Sequence, residues 1–349
     1  MKKRILISVC ATLLLAILLG CVQALVIPKY TDNPEGALIG EYYSSGFDHD
    51  VLFIGDCEVY ESFVPTVLWE EYGIRSYIRG SAQQLAWQSY YLLEETFRYE
   101  LPKTVVFNVL ALKYGEPQNE AYNRMTLDGM KWSRIKCQAI RASMTAGESM
   151  VEYFFPLLRF HSRITSLAAD DARYMFSSPE VSHNGYLMQT GIAPMTEEDV
   201  YVRGLSDYTL PQTAMEYLDR MRELCEKHGT ELILIKAPTN SWGYWWYDEW
   251  DAQIVDYAEK NDLSYYNFIS ACDEIGIDWQ TDTYDEGVHL NVYGAEKMTR
   301  YFGWLLCESH GYEKHTPIRG EDAAWDEKLR RYYEQKSQME QKTKKERAT

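Results

Sequence analysis

Cys57 and His289 are the side chains whose type and setting suit covalent catalysis in this chain of 349 residues. Cys57 ends the run Val51-Leu52-Phe53-Ile54-Gly55-Asp56-Cys57. An apolar, strand-like segment that stops at a Gly-Asp turn presents a small nucleophilic side chain at a strand's carboxyl end, where open α/β sheets put their chemistry. His289 lies far downstream in Asp285-Glu286-Gly287-Val288-His289-Leu290-Asn291. A thiol nucleophile needs a base to take its proton and a group to orient that base. Asp285 and Glu286, four and three positions ahead of His289, both reach it, and the shorter side chain of Asp285 would hold an imidazole more rigidly. The plain alternative for Cys57 is a small thiol packed under the sheet, common for free cysteines. The acidic pair together with Leu290-Asn291-Val292-Tyr293-Gly294-Ala295, which opens an amphipathic helix, sets His289 apart from the other histidines.

These two blocks need a scaffold that joins them. Short apolar runs at 51–54, 76–78, 104–110, 231–235 and 264–268 predict buried strands, and segments of helical period at 65–72, 83–98, 211–228, 250–261 and 292–308 alternate with them. That alternation predicts a three-layer α/β/α domain with a doubly wound, mostly parallel sheet over residues 51–318. It fails over residues 115–206, which are aromatic-rich with helical pieces and no clear strand, and these predict a helical insertion over the sheet's carboxyl edge. Residues 29–50 are polar and rich in Gly, Asp and Tyr, predicting a connector; residues 319–349 are dense in Glu, Lys, Arg and Gln, predicting a solvated helix that frays into a tail.

Residues 1–28 predict a membrane anchor. Lys2-Lys3-Arg4 precedes an apolar stretch from Ile5 to Ile27 broken only by small residues and Gln23. At a rise of about 1.5 Å per residue, that stretch exceeds a hydrocarbon core of about 30 Å. It is too long for the apolar core of a cleaved signal, and Leu18-Leu19-Gly20-Cys21 matches a lipoprotein signal imperfectly. The basic cluster predicts a cytoplasmic amino terminus and an extracytoplasmic domain. A formal charge of −17 argues against nucleic acid as a partner. The cysteines outside the span, Cys57, Cys137, Cys225, Cys272 and Cys307, show no C-x-x-C spacing, so neither a disulfide framework nor a thiolate metal site is expected, and no cofactor is implied.

The Gly55-Asp56-Cys57 block and the Asp285-to-Ala295 block together resemble the SGNH/GDSL hydrolase superfamily, with Cys57 where that family carries its serine. The resemblance implies the flavodoxin-like SGNH fold and places the acidic residue at Glu286. It further implies oxyanion donors at the nucleophile's backbone, at a glycine after the second strand and at an asparagine after the third, matched here by Gly80 and, loosely, by Asn108. Lys113, Tyr114, Asn123 and Arg124 are further rim candidates. So are Trp242 and Trp245, which follow the fourth predicted strand with Tyr244 and Trp246 and suit stacking on sugar rings. The single span with an outward domain is similar to the membrane-anchored branch that includes the D-alanyl transfer and polysaccharide O-acetylation proteins. That similarity implies an esterase or O-acyltransferase acting on cell-wall polysaccharide or teichoic acid beside a membrane-bound O-acyltransferase. The alternative is a non-catalytic SGNH-like scaffold or glycan-binding module assisting such an acyltransferase.

Overall fold

A computed structural model describes residues 2–195, 204–240 and 246–348. Five parallel strands, β1 (Val51–Gly55), β2 (Ser76–Gly80), β3 (Thr104–Asn108), β4 (Glu231–Lys236) and β5 (Ser264–Asn267), pair in the order β2-β1-β3-β4-β5. The chain winds one way from β1 to β2 and the other way from β3 onward. The switch point therefore lies between β1 and β3, where such sheets open a crevice at their carboxyl ends.

Strand residues alternate between two cores, as a pleat of period two requires. Phe53, Val106, Ile233 and Ile235 meet Val67 and Leu68 of helix Pro65–Tyr72 and Phe302 of helix Val292–Ser309. Leu52, Ile54, Val105, Phe107, Leu232 and Leu234 meet Leu93 of helix Ala86–Thr96 and Leu218 of helix Gln212–His228. Both faces are apolar because helices cover both. The sheet and its helices are thus the α/β architecture that the sequence periodicity predicts.

Three segments differ from expectation. The third strand stops at Asn108 and turns into a 3-10 helix, Val109–Lys113, so Asn108 sits at the sheet's carboxyl edge and not inside the apolar run. Residues 29–50 are not a spacer: Leu38, Ile39 and Tyr42 are fully buried, each in a different apolar cluster, so the connector is part of the core. The carboxyl-terminal segment forms one helix, Ala323–Ala348, whose Trp325 and Tyr332 are buried and whose Tyr332 hydroxyl donates to Glu296 (2.7 Å). Two aromatic anchors one helical face apart outweigh a polar composition.

The insertion is helical, with Glu120–Gly129 and Arg134–Ser143 as its longest pieces. A tight turn within it, from His183 to Tyr186, covers the free edge of β2. Ile78 N donates to Asn184 O (2.9 Å) and Asn184 Nδ2 donates to Ser76 O (3.0 Å), which blocks edge-to-edge association. Gly185 follows with φ +89°, and a Cβ there would lie 2.1 Å from Ile78 O. The amino-terminal helix Lys2–Val26 is long and apolar enough to cross a membrane.

Gly185→Ala should therefore lower unfolding stability by about 2 kcal/mol or more, from left-handed strain and a backbone clash together. An unchanged urea midpoint would show that this turn does not hold the edge.

Candidate active site

Buried charge ties together the carboxyl ends of three strands. Lys236, the last residue of β4, donates to both carboxylate oxygens of Glu58 (2.8 and 2.9 Å) and to Ala237 O (2.9 Å). Asn108, the last residue of β3, donates through its side-chain amide to Glu58 Oε2 (2.9 Å) and Asp56 Oδ1 (3.2 Å), and its Oδ1 accepts from Ala237 N (3.1 Å). Asp56 and Glu58 flank Cys57 in the turn after β1, so the nucleophile candidate stands on a charged, hydrogen-bonded platform. Burial and the neighbouring Glu58 charge push Asp56 up to about 6, while burial lowers Lys113 nearby.

Cys57 opens the one-turn helix Cys57–Tyr60 and is 7% exposed. Its thiol shares a cavity wall with the imidazole of His289, and each shifts the other's proton affinity. Asp285 clamps that histidine twice: Oδ2 lies 2.7 Å from Nδ1, and Oδ1 accepts from the His289 backbone N–H (2.8 Å). Asp285 thereby claims Nδ1, which leaves Nε2 as the ring nitrogen available to the thiol.

A second carboxylate, one helical turn after Cys57, completes the cluster. Glu61 Oε2 is 3.4 Å from His289 Nδ1, and both Glu61 oxygens accept from the Tyr284 hydroxyl (3.0 and 2.9 Å). The Tyr284 ring lies nearly parallel to the imidazole, with centroids 6.2 Å apart. Burial pushes Glu61 up to about 7, against the pull of His289. Burial likewise opposes charge on His289, but the Asp285 bond, the thiol and Glu61 outweigh it and hold the ring well above an ordinary histidine. Burial and Asp56 push the Cys57 thiol up, and His289 pulls it down. One mobile proton is thus contested between sulfur and ring, with Asp285 and Glu61 favouring the ring.

The loop that carries His289 is itself fixed. Thr239 Oγ1 donates to Val288 O (3.0 Å), Asn240 N donates to Gly287 O (2.8 Å), and Gly287 N donates to Thr283 Oγ1 (2.9 Å). Asn291 caps helix Val292–Ser309 through Tyr293 N and Gly294 N while its amide donates to Gly191 O and Thr281 O (2.8 Å each). A cavity of about 280 Å³ opens above the thiol. Its walls are Asn33 and Glu35 of the connector, Ala82 and Gln83 after β2, Tyr122 and Met125 of the insertion, and Tyr284 with His289. Larger cavities lie beside Lys29 and Phe176 and between Trp69 and Tyr333, and neither lining includes Cys57 or His289.

The structure therefore brings Cys57, His289 and Asp285 together. Glu286 is exposed with left-handed backbone (φ 62°), its N–H donating to Ala193 O (3.1 Å), so the residue implied by family spacing is not the one on the imidazole. Asn108 corrects the oxyanion expectation, because both its amide hydrogens are spent on Asp56 and Glu58. Gly80 pairs with Gly55 at the ends of β2 and β1, and a Cβ there would meet Gly55 O at 3.0 Å and the Tyr60 ring at 3.1 Å. Trp242, Tyr244 and Trp245 lie outside the described residues; Trp246 is buried and bonded to Asp251. Asn123 and Arg124 turn into the insertion's own core, and their neighbours Tyr122 and Met125 line the cavity instead. Glu61 and Tyr284 escaped sequence reading, although Glu61 at i+4 from Cys57 and Tyr284 beside Asp285 are positions that helical and loop spacing would flag.

No family model matches the chain, and no curated protein does. Among solved structures, the chain is similar to a candidate acylhydrolase from Bacteroides fragilis, at 11% identity over 80% of this chain and 97% of that one, with a TM-score of 0.37. It is also similar to a gut microbial diltiazem-metabolizing enzyme, at 12% identity over 76% of this chain and 47% of that one, with a TM-score of 0.26. These likenesses concern the fold alone.

Breaking the platform should be costly and partly reversible. Glu58→Gln or Lys236→Met alone leaves a buried partner unpaired and should lower stability by about 3–5 kcal/mol. The double variant should recover part of that loss in chemical denaturation; additive losses would show that the two residues do not act as a pair. The raised Glu61 predicts a pH effect of fixed sign. Glu61 is neutral below about pH 7 and charged above it, so Cys57 alkylation should quicken as pH rises through about 7. Glu61→Gln should remove that step from the rate profile, and an unchanged profile would separate Glu61 from the imidazole.

Proposed function

We propose that this protein is a membrane-anchored, extracytoplasmic esterase or O-acyltransferase whose acyl group passes through Cys57. The observation that supports this reading is the grouping of Cys57 with His289, itself held by Asp285 at 2.7 Å, on the wall of one cavity at the sheet's carboxyl end. In the first half, Cys57 Sγ attacks the acyl carbonyl carbon as His289 takes the thiol proton. The tetrahedral intermediate collapses, the C–O bond to the leaving alcohol breaks, and that alcohol leaves with the proton from His289. In the second half, water or an acceptor hydroxyl attacks the thioester carbonyl, His289 takes its proton, and Cys57 regains it as the C–S bond breaks. A thioester is a more reactive acyl carrier than an oxygen ester, which suits onward transfer to a hydroxyl. Envelope polysaccharide or teichoic acid is the proposed acceptor, with a membrane-bound O-acyltransferase as the proposed partner.

A second reading, a scaffold or glycan-binding module that no longer turns over, draws on Asn108, whose amide is unavailable as an oxyanion donor. The two readings separate in one experiment. The full chain, given an activated acetyl ester, should gain a single acetyl group on Cys57 by mass spectrometry. His289→Ala should slow that gain by about 10²–10⁴, and Cys57→Ala should abolish it. Acetylation spread evenly over Cys137, Cys225, Cys272 and Cys307, or indifferent to His289, would favour the scaffold.

A further inference from the structure

The helix Lys2–Val26 stands clear of the domain for most of its length and is gripped only at its end. Its residues are exposed up to Gly20; Cys21, Gln23, Ala24 and Leu25 are half-buried, and Val26 is buried. The grip comes from the insertion: helices Pro156–Phe160 and Ala169–Arg173 and the 3-10 turn His161–Ser166 pack against the apolar helix. Arg163 donates to Val26 O (2.7 Å) and to Asp171 Oδ1 (2.8 Å), and Lys29 donates to Ala24 O (2.6 Å), so the helix's last carbonyls are capped by the collar and the connector.

Length now decides where the collar sits. A hydrocarbon core of about 30 Å takes about 20 helical residues. Counted from Ile5, just past Lys2-Lys3-Arg4, such a span ends near Ala24 and so overlaps the segment that the collar grips. The collar cannot clear the headgroups without pulling apolar helix out of the bilayer. Its outward side chains fit that depth. Phe154, Phe155, Leu158, Ile164 and Phe176 are all exposed, and exposed Trp132 stacks on Phe154 at 4.9 Å. Such a concentration of large apolar groups, aromatics foremost, is unusual on a surface facing water and usual at a membrane interface. Residues 150–176 carry three arginines and three carboxylates, so apolar insertion and not charge attraction would hold them there.

We propose that the collar, residues 150–176, lies in the plane of the outer lipid interface and seats the domain directly on the bilayer. This rests on the anchor reading above and adds a second, in-plane attachment. The occupant of the apolar face is the lipid surface.

The test uses the full chain in phosphatidylcholine vesicles holding a radiolabelled phospholipid, with the photo-crosslinker p-benzoylphenylalanine placed singly at Phe154, Leu158 or Phe176. Leu14 is the position inside the proposed span, and Trp304, exposed on helix Val292–Ser309, is the control for water-facing aromatics. All five side chains are exposed, so none of the replacements disturbs a core. Lipid labelling at the three collar positions that approaches Leu14 and exceeds Trp304 several-fold supports the proposal. Labelling at Leu14 with collar positions no higher than Trp304 overturns the collar and leaves the anchor standing. Absence of labelling at Leu14 overturns both.

Discussion

The Glu58–Lys236 ion pair is the constraint on which the site's geometry depends. Both side chains are fully buried, and removing two ions from water is tolerable only when their remaining hydrogen-bonding capacity is filled. Here it is filled from three directions. The three protons of Lys236 reach Glu58 twice and Ala237 O once, and Asn108 closes the network onto both carboxylates of the turn. An apolar pair would pack as well, but it would not fix an angle. The ionic network ties the turn after β1 to the last residues of β3 and β4, and that turn holds the thiol.

Around the thiol, Asp56, Glu61, His289 and Cys57 itself all depart from their ordinary proton affinities. Asp56 and Glu61 flank Cys57 in sequence, and both are raised by burial, Asp56 towards about 6 and Glu61 towards about 7. A sulfur placed between them resists losing its proton unless an imidazolium forms beside it. Asp285 makes that imidazolium affordable by holding Nδ1 at 2.7 Å. The shifts are therefore mutual: carboxylates steady the ring, the ring pulls the thiol down, and burial pushes the thiol and both acids up.

Much of the scaffold was legible because burial on both faces leaves an unambiguous apolar signature. The five strands begin at the positions their apolar runs predict, and helix Pro65–Tyr72 coincides with its helical period. Boundaries drifted where the cause was tertiary: β3 stops at Asn108 because the amide is held by Asp56 and Glu58, partners remote in the chain. Position in sequence brought Cys57 and His289 to notice and favoured Asp285 over Glu286 only by its shorter side chain; the bond of Asp285 to Nδ1 decides it. Lys236 was invisible for a plainer reason. A lysine ending an apolar strand reads as the point where the chain returns to water, and only its partner turns it inward. The same bias towards reading polar composition as exposure explains the connector and the carboxyl-terminal helix, whose buried anchors Tyr42, Trp325 and Tyr332 are few but large.

The buried connector has a mechanical consequence for the site. Lys29 caps the apolar helix at Ala24, Leu38 and Tyr42 lie in the two cores that sandwich the sheet, and Asn33 and Glu35, between them in sequence, form a wall of the cavity above Cys57. A flexible linker would let the domain tumble at the end of its tether and present the thiol in any direction. A connector packed into the core allows no such freedom. The end of the apolar helix and the wall of the cavity are thus joined through one packed segment, from Lys29 on Ala24 to Tyr42 in the core.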